Sequence, residues 1–378
     1  MFSGDISLEC FLRDYWQKKP LLIRHAFPGF VSPLTPDELA GLACEDDINA
    51  RIVIENAEDR PWAVQYGPFD EAVFQHLPET HWTLLVSDVE KHVPAARSII
   101  DYFRFLPDWR IDDLMISYAP EGGSVGPHLD AYDVFLLQSY GRRKWMINTR
   151  HSNKFLDNTD LKILAEFEAE EEWIVEPGDL LYLPPNIAHH GVALEPCMTC
   201  SIGFRAPSVR SMVSEFGEYI SRNIPGELRY QDADIEKQSH PAEISPSALS
   251  TIRNILNSYF VTDNNMAEKW FGEYITDTRS ATNEDSNQYN ITDYAQLEHS
   301  LTRKETIQHA AASRFLFIRK GEDALLFVDG SCYNTSIQFS EALCEDNNLN
   351  CTHILNNTRT EQDRNTLVEL FNRGCLLI

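Results

Sequence analysis

Residues 177–192 read PGDLLYLPPNIAHHGV and combine a turn, a strand, a corner and a histidine pair. Gly178 begins a Gly-Asp turn signal, and the four apolar residues after Asp predict a short buried strand. A proline pair at Pro184 cannot continue a central strand and predicts a corner. The corner would deliver His189 and His190 to the start of the next strand. This run therefore predicts the rim of a β-sheet structure that carries a histidine site.

The chain around this run has the same β-rich character. From residue 51 to about residue 204, short strand-like segments alternate with turns of Gly, Pro, Asn and Asp. Many short strands joined by tight turns favour a sandwich or barrel over a parallel doubly wound sheet. Upstream, residues 7–19 carry apolar side chains at helical spacing, and Pro20 ends that pattern.

A second stretch, GPHLDAYDVF over residues 126–135, supplies further metal-ligand types. In a regular strand, positions i and i+2 share a face, so His128 and Asp130 would point together and Asp133 would point away. Two histidines and one carboxylate form the facial triad that leaves coordination positions of iron open. A histidine pair alone is more often polar surface, but the upstream His-x-Asp favours a metal site. The run from Gly178 is also similar to the second signature of cupin-type jelly rolls, which selects His189 rather than His190.

The segment YGRRKWMI between these stretches predicts a turn followed by a strand. Arg143, Trp145 and Ile147 share one parity, and the apolar pair marks that face as buried. A buried guanidinium needs a carboxylate partner because an unpaired buried charge is costly. The far carboxylate of 2-oxoglutarate would be that partner. The alternative is an arginine whose charged end reaches solvent.

The totals describe a globular protein with a strongly acidic surface. The 378 residues suggest two or three domains. No run approaches the roughly 18 apolar residues of a membrane helix, and the first residues lack a signal-peptide layout, so we expect a cytoplasmic protein without membrane contact. Eight scattered cysteines fit reduced thiols, and Cys197-x-x-Cys200 is interpreted as part of a strand.

Charge points to the class of partner. There are 32 Lys and Arg against 58 Asp and Glu, a net charge of −26. Such a surface repels phosphate backbones and attracts basic proteins, although the acidity alone is equally explained by solubility. Residues 266–378 hold 10 Lys and Arg against 17 Asp and Glu, so this region is a poor candidate for DNA binding.

Two amphipathic segments follow the β-rich region, over residues 208–224 and from residue 245 onward. They would either cap the β-domain or dimerise it, and periodicity does not decide between these. Beyond residue 266, helices precede a hairpin whose turn is KGED, a layout that suits a winged-helix-like module.

Together these motifs resemble the JmjC-type ribosomal oxygenases, and more narrowly the bacterial ribosomal protein arginine hydroxylases. The resemblance rests on the His-x-Asp at 128–130, Arg143, the GDxxYxPP run ending at His189, the closing SIGFRAP and the N-terminal FLRDYWQKKPLLIRHAFP. It implies an α+β protein: a jelly-roll (double-stranded β-helix, cupin/JmjC) catalytic domain over residues 1–207 with its core at about 94–207. A helical dimerisation region over 208–265 and a winged-helix-like domain over 266–378 would follow.

The resemblance also implies chemistry and partners. It predicts an Fe(II)- and 2-oxoglutarate-dependent dioxygenase that hydroxylates an arginine of the sixteenth large-subunit ribosomal protein, a basic partner, and a homodimer. His128, Asp130 and His189 would be the iron ligands, and Arg143 would hold the C5 carboxylate of 2-oxoglutarate. Ser117 matches a position that helps to bind this cosubstrate, and Thr199 is a weaker candidate.

Three alternatives stay open on the sequence alone. The first is an oxygenase of the same class acting on another residue, as a histidine hydroxylase or lysine demethylase. The second is a non-catalytic jelly-roll protein that binds a partner, and the third is a winged-helix regulator. For the arginine substrate, nearness to the His-x-Asp makes Glu121 and Asp133 the candidate carboxylates.

Overall fold

The computed structural model describes residues 6–57, 60–157, 159–233, 235–238, 240–260, 264–277 and 289–378. Residues 1–5, which belong to the segment predicted to lack a signal peptide, lie outside the described residues. The chain forms two compact units, Met1–Ala206 and Pro207–Ile378. Within the described ranges, no helix is both long and apolar enough to cross a membrane. The predicted domain boundaries after residues 207 and 265 stay predictions.

The first unit contains five short helices and eleven strands in its described part. The helices are α1 (Leu8–Asp14), α2 (Pro36–Leu42), α3 (Glu71–Gln75), α4 (Val89–His92) and α5 (Pro94–Asp101). The strands are β1 (Leu21–Ile23), β2 (Ala50–Ala57), β3 (Arg60–Tyr66), β4 (Trp82–Val86), β5 (Ile111–Ala119), β6 (Asp133–Tyr140), β7 (Arg143–Asn148), β8 (Glu171–Val175), β9 (Leu180–Leu183), β10 (Ala188–Ala193) and β11 (Cys197–Phe204).

Two antiparallel sheets face each other in this unit. The larger has eight strands in the order β1-β9-β6-β11-β5-β4-β2-β3, and the smaller has the order β10-β7-β8. Apolar side chains from β6 and β9 meet Trp145 and Ile147 of β7 between the sheets. The strand predicted after the Gly178 turn is β9. The strand predicted after the proline corner is β10, which carries His189 and His190. This arrangement confirms the β-rich prediction and leaves a space between the sheets at one end.

The other face of the larger sheet is covered by the N-terminal segment and α1, α2 and α5. Its aromatic centre includes Phe11, Phe103, Phe135, Tyr182 and Phe204. Alternate residues of each strand therefore serve two layers, one packed against helices and one turned toward the smaller sheet. The Cys197-x-x-Cys200 pair is divided in this way between two apolar clusters as free thiols, which fits its interpretation as part of a strand.

Helix α1 is shorter than its periodicity predicts. Apolar side chains recur at helical spacing up to Trp16, but the helix ends at Asp14. Gln17 adopts a left-handed backbone with φ of 56°, and its backbone N–H donates to the Tyr182 hydroxyl at 2.7 Å. Its side-chain amide donates to Asp133 at 2.9 Å. Contacts with distant strands thus overrule the local helical preference.

The second unit mixes helices with two small sheets. Its elements are α6 (Val209–Arg222), α7 (Pro246–Phe260), α8 (Asn264–Thr276), α9 (Tyr294–Leu301), β12 (Thr306–His309), β13 (Phe315–Lys320), β14 (Asp323–Val328), β15 (Ser331–Ser336), α10 (Ile337–Cys344), β16 (Asn348–Asn350), α11 (Cys351–Asn357), α12 (Glu361–Asn372) and β17 (Leu376–Leu377). The predicted hairpin is present, with Lys320 paired to Asp323 across its turn. The winged-helix-like character of this region stays a prediction.

Candidate active site

A cavity of about 520 Å³ opens between the two sheets of the first unit. Strands of the larger sheet form one wall, and β7 and β10 of the smaller sheet form the opposite wall. The polar residues lining it include Arg51, Asp88, Asp112, Asp113, Ser117, His128, Asp130, Arg143, Lys162, His189, Thr199 and Ser201. All six residues that the sequence predicts for the metal and cosubstrate therefore line one cavity.

The three predicted ligands converge at this cavity. The carboxylate oxygen Oδ2 of Asp130 lies 3.5 Å from Nε2 of His189 and 3.9 Å from Nε2 of His128. Within the described ranges, these residues form the group of three ligand types whose candidate atoms all lie within 4.8 Å of one another. The candidate ligand atoms of two imidazoles and one carboxylate thus lie close enough together to bind a single metal ion.

Backbone contacts fix the orientation of both imidazoles. His128 and His189 exchange backbone N–H···O hydrogen bonds of 3.0 and 3.1 Å, which hold the two residues side by side. Each ring places Nδ1 at 2.9 Å from a carbonyl, Gly126 for His128 and Ile187 for His189. A carbonyl only accepts, so each Nδ1 carries the hydrogen and each Nε2 keeps its lone pair for a metal.

Burial favours the neutral form of His189. Burial, together with a contribution from the neighbouring His128, lowers the pKa of this imidazole to about 4. Metal ions bind the neutral ring, so His189 needs no deprotonation near neutral pH. A hydrogen bond also fixes the backbone of Asp130, because its carbonyl accepts the backbone N–H of Asn186 at 2.7 Å.

The route by which His128 and Asp130 meet differs from the prediction. Strand parity assumes a regular strand over residues 128–130, but β6 begins only at Asp133. His128 lies in an isolated bridge with His189, and Asp130 lies in the loop that follows. Gly126 precedes them and has φ of +78°, a backbone conformation that favours glycine over residues with a side chain. A Cβ at this position would also lie only 3.1 Å from the side chain of Ile163.

Arg143 is buried at the start of β7, as its parity predicts, with 4% of its surface exposed. The alternative of a solvent-reaching guanidinium is therefore wrong. Its Nε and Nη2 atoms are shielded from water and find no hydrogen-bond partner among the residues that the structure describes. Buried donors of this kind require a partner, and a carboxylate that accepts two hydrogen bonds fits them.

Ser117 and Thr199 are paired directly across β5 and β11, and both are buried at the cavity wall. Gln138 gives the hydroxyl groups of these two residues different hydrogen-bonding roles. Its Nε2 donates to the carbonyls of Tyr140 and Gly141, so its Oε1 is the atom that accepts the Thr199 hydroxyl at 3.0 Å. The Thr199 hydrogen is thus already donated, which leaves Ser117 as the better partner for a carboxylate.

The two carboxylates expected near the substrate are not placed for that role. Asp133 is fully buried and accepts hydrogen bonds from Tyr182 at 2.6 Å and Gln17 at 2.9 Å, with Arg110 at 3.1 Å. Its ion pair and hydrogen bonds tie β6 to the N-terminal segment. Glu121 is exposed and is not among the cavity-lining residues. The hypothesis that either binds a substrate guanidinium is therefore wrong for Asp133 and unsupported for Glu121.

Other carboxylates occupy the cavity instead. Asp88, Asp112 and Asp113 line it, and burial raises the pKa of Asp113 to about 6, with further contributions from Asp112 and Asp88. The sequence carried a signal for Asp113, since it lies four residues before Ser117 on the same strand and shares its face. Ser201, two residues after Thr199, follows the same rule.

Comparison with known proteins places this site in a family. A JmjC domain matches residues 98–212, which span the cavity strands from β5 to β11. The chain is 42% identical over 271 residues to the ribosomal protein uL16 3-hydroxylase of Escherichia coli K12, covering 71% of each chain. It is 38% identical over 249 residues to a probable ribosomal oxygenase of Haemophilus influenzae, covering 65% of this chain and 60% of the relative.

The chain belongs to the JmjC-type ribosomal oxygenases. The fold of this ribosomal oxygenase agrees with that membership. The crystal structure of E. coli YcfD superimposes with a TM-score of 0.87 at 33% identity, covering 100% of this chain and 99% of YcfD. The JmjC/cupin-type fold predicted from the sequence is therefore confirmed.

Solved structures of YcfD also hold small molecules. One contains cobalt and 2-oxoglutarate and matches this ribosomal oxygenase with a TM-score of 0.81 at 32% identity, covering 100% of this chain and 99% of that one. Another contains cobalt and succinic acid, with a TM-score of 0.82 at 32% identity and the same coverage. Both complexes therefore hold cobalt in YcfD, a protein with the same fold, one with 2-oxoglutarate and the other with succinic acid.

Proposed function

We propose that this protein is an Fe(II)- and 2-oxoglutarate-dependent dioxygenase that hydroxylates an arginine side chain of uL16, the sixteenth large-subunit ribosomal protein. The observation that carries the proposal is one cavity that combines the His128–Asp130–His189 group with the buried, unpartnered donors of Arg143. The similarity to a uL16 3-hydroxylase supports the choice of substrate.

The donor set fits an iron ion. His128 and His189 would bind it through Nε2, and Asp130 would bind it through a carboxylate oxygen, which leaves further positions of an octahedral ion open. When bound, Fe(II) and 2-oxoglutarate supply oxygen activation by oxidative decarboxylation of the cosubstrate. The carbonyls of Gly126 and Ile187 keep both imidazoles in the tautomer that this binding requires.

The chain positions the cosubstrate through Arg143. Its Nε and Nη2 atoms would donate to the C5 carboxylate, and this pairing removes the cost of two buried, unsatisfied donors. Ser117 would donate a further hydrogen bond from the opposite wall. Thr199 would act through Gln138, whose amide it holds, rather than on the carboxylate itself.

The substrate arginine would enter where Asp88, Asp112 and Asp113 line the cavity. A guanidinium placed against Asp113 would stabilise its ionised form, so binding would draw the pKa of this carboxyl down from about 6. This placement fixes the aliphatic part of the substrate side chain between the acidic residues and the metal ligands. Proximity of that kind lets the enzyme choose one C–H bond.

Mass spectrometry of recombinant uL16 after incubation with the enzyme tests this function. We expect one added oxygen atom on an arginine, dependent on 2-oxoglutarate and lost in Asp130→Ala. Asp113→Asn would raise the KM for uL16. It would have a smaller effect on the amount of succinate that the enzyme releases when uL16 is absent. Asp346→Asn, an exposed acid in the second unit, is the matched control. Oxygen on a histidine, or loss of methyl groups from lysine, would contradict the proposal.

We further propose that the protein is a homodimer held by α6 and α7. None of the fifteen residues of α7, all of them described, is buried in the single chain. Apolar side chains nonetheless recur along both helices at helical spacing, and those exposed are Val209, Val213, Leu249, Ile252, Ile255, Leu256 and Phe260. An apolar stripe of this length is typical of an interface. A cytoplasmic location and the absence of DNA binding stay predictions.

A further inference from the structure

His190 follows the ligand His189 on β10 and has a separate set of contacts. Neighbouring side chains of a strand point to opposite faces, and His190 is not among the cavity-lining residues. Its Nε2 lies 2.9 Å from Oγ of Ser124, and its ring meets Phe167 edge-on. Ser124 is 1% exposed, so water does not compete for this hydrogen bond.

Ser124 is also linked to the turn that carries His128. Its Oγ accepts the backbone N–H of Gly126 at 3.0 Å, and the Gly126 carbonyl accepts Nδ1 of His128 at 2.9 Å. Thr83 donates to the Ser124 carbonyl at 3.1 Å and anchors the same turn to β4. One serine hydroxyl therefore lies between His190 and Gly126, the residue whose carbonyl orients the His128 ring.

We propose that Ser124 and His190 are positioning residues that hold the two histidine ligands in register before the metal binds. The inference rests on the metal site of the proposed function and adds two residues that touch neither metal nor substrate. Without their contact, His128 keeps its backbone pairing with His189, but its turn loses the side-chain link to β10. Outer hydrogen bonds of this kind orient ligands, and their loss typically weakens metal binding about 10–100-fold.

Titration of the full-length protein with Co²⁺, followed by calorimetry and by the visible spectrum, tests the proposal without any turnover. We expect Ser124→Ala and His190→Ala each to weaken Co²⁺ binding by about 10-fold or more and to shift the spectrum. His190→Gln, whose amide still offers a polar group to Ser124, would recover part of the affinity. Ser340→Ala removes a buried hydroxyl from the second unit and serves as the matched control.

A double variant separates positioning from general loss of stability. If the two residues act through their shared hydrogen bond, Ser124→Ala combined with His190→Ala would weaken Co²⁺ binding no more than Ser124→Ala alone. Thermal unfolding of each variant identifies a fold defect, and His190→Gln then provides the decisive titration. Affinities within twofold of the wild type in folded variants would overturn the proposal. Failure of the metal site itself would show differently, as Co²⁺ binding that Asp130→Ala leaves unchanged.

Discussion

The buried guanidinium of Arg143 costs stability, and binding of the proposed cosubstrate would offset that cost. Its guanidinium is buried at the wall of the cavity, and two of its nitrogen atoms find no partner in the described part of the chain. Its neighbour Arg142 is exposed and pairs with Glu195. Two adjacent arginines thus have opposite environments, because strand alternation sends one inward and the other to solvent.

Arg143→Met should therefore stabilise the ligand-free protein and abolish its response to 2-oxoglutarate. Removing an unpaired buried charge is expected to raise the free energy of unfolding by roughly 1 kcal/mol. Thermal unfolding with and without 2-oxoglutarate in the presence of Co²⁺ measures both effects. Arg142→Met, the matched control, should keep the full response to 2-oxoglutarate. A variant at position 143 that still responds would show that the cosubstrate binds elsewhere.

Asp133 illustrates a carboxylate whose role is structural. Asp133→Asn should lower the free energy of unfolding by about 3 kcal/mol, because Arg110 would lose its buried partner. The KM for uL16 should stay unchanged in the folded variant, since this carboxylate faces Tyr182 and Gln17. Asp108→Asn, which breaks a partly exposed pair with Arg104, should cost less than about 1 kcal/mol in chemical denaturation. An unchanged stability for Asp133→Asn would contradict this assignment.

At the scale of elements, a buried acid joins α4 to the central strand β5. The Glu90 carboxylate accepts the backbone N–H of Leu114 at 3.0 Å. Burial raises the pKa of Glu90 from its usual 4.5 to about 7, and the backbone hydrogen bond only partly opposes this shift. The folded protein consequently binds a proton at pH values where the unfolded chain has released it.

This shift predicts a pH dependence of stability. Because the pKa of Glu90 is higher in the folded state, its contribution should be lost as pH rises from about 4.5 to about 7. Glu90→Gln should remove that slope and raise the free energy of unfolding at pH 8 by roughly 2 kcal/mol. Denaturant unfolding across this pH range is the measurement. Glu45→Gln, at an exposed position, should leave the profile unchanged.

Helix α7 carries the second prediction at this scale. Leu256→Glu would place a charge within the exposed apolar stripe, so we expect the dimer to dissociate to monomers. Light scattering gives the mass directly. Ser258→Glu, outside that stripe on the same helix, should leave the mass unchanged. A wild-type protein that is already monomeric would remove the proposed interface altogether.

For the molecule as a whole, we expect the net charge to affect the rate at which the enzyme encounters a basic substrate. The net charge of −26 should raise the rate of encounter with uL16 at low salt. We expect the KM for uL16 to rise several-fold, roughly, between 50 and 300 mM salt, while kcat changes little. A parallel series with a short uncharged substrate peptide would control for effects on catalysis. If the KM for uL16 does not change with salt concentration, the acidity of the surface serves only solubility.

The sequence determined the sheet-rich fold, the histidines proposed as ligands and the buried arginine, because alternation along strands and the glycine-to-proline run are local signals. It placed His189 at the start of the strand after the proline corner, which is β10, and Arg143 on the inward face of β7. The parity argument for His128 and Asp130 predicted their proximity by a wrong route, since a loop rather than a strand joins them.

Only the tertiary structure decided what surrounds each carboxylate and what supports the two histidines proposed as ligands. Asp113, Glu121 and Asp133 have the same chemistry, and their roles depend on which distant side chains surround them. Asp133 meets Gln17 and Tyr182, which are 116 and 49 residues away along the chain. The contact of Ser124 with His190 likewise spans 66 residues. Such pairings follow from strand order and loop closure, and neither is encoded in local periodicity.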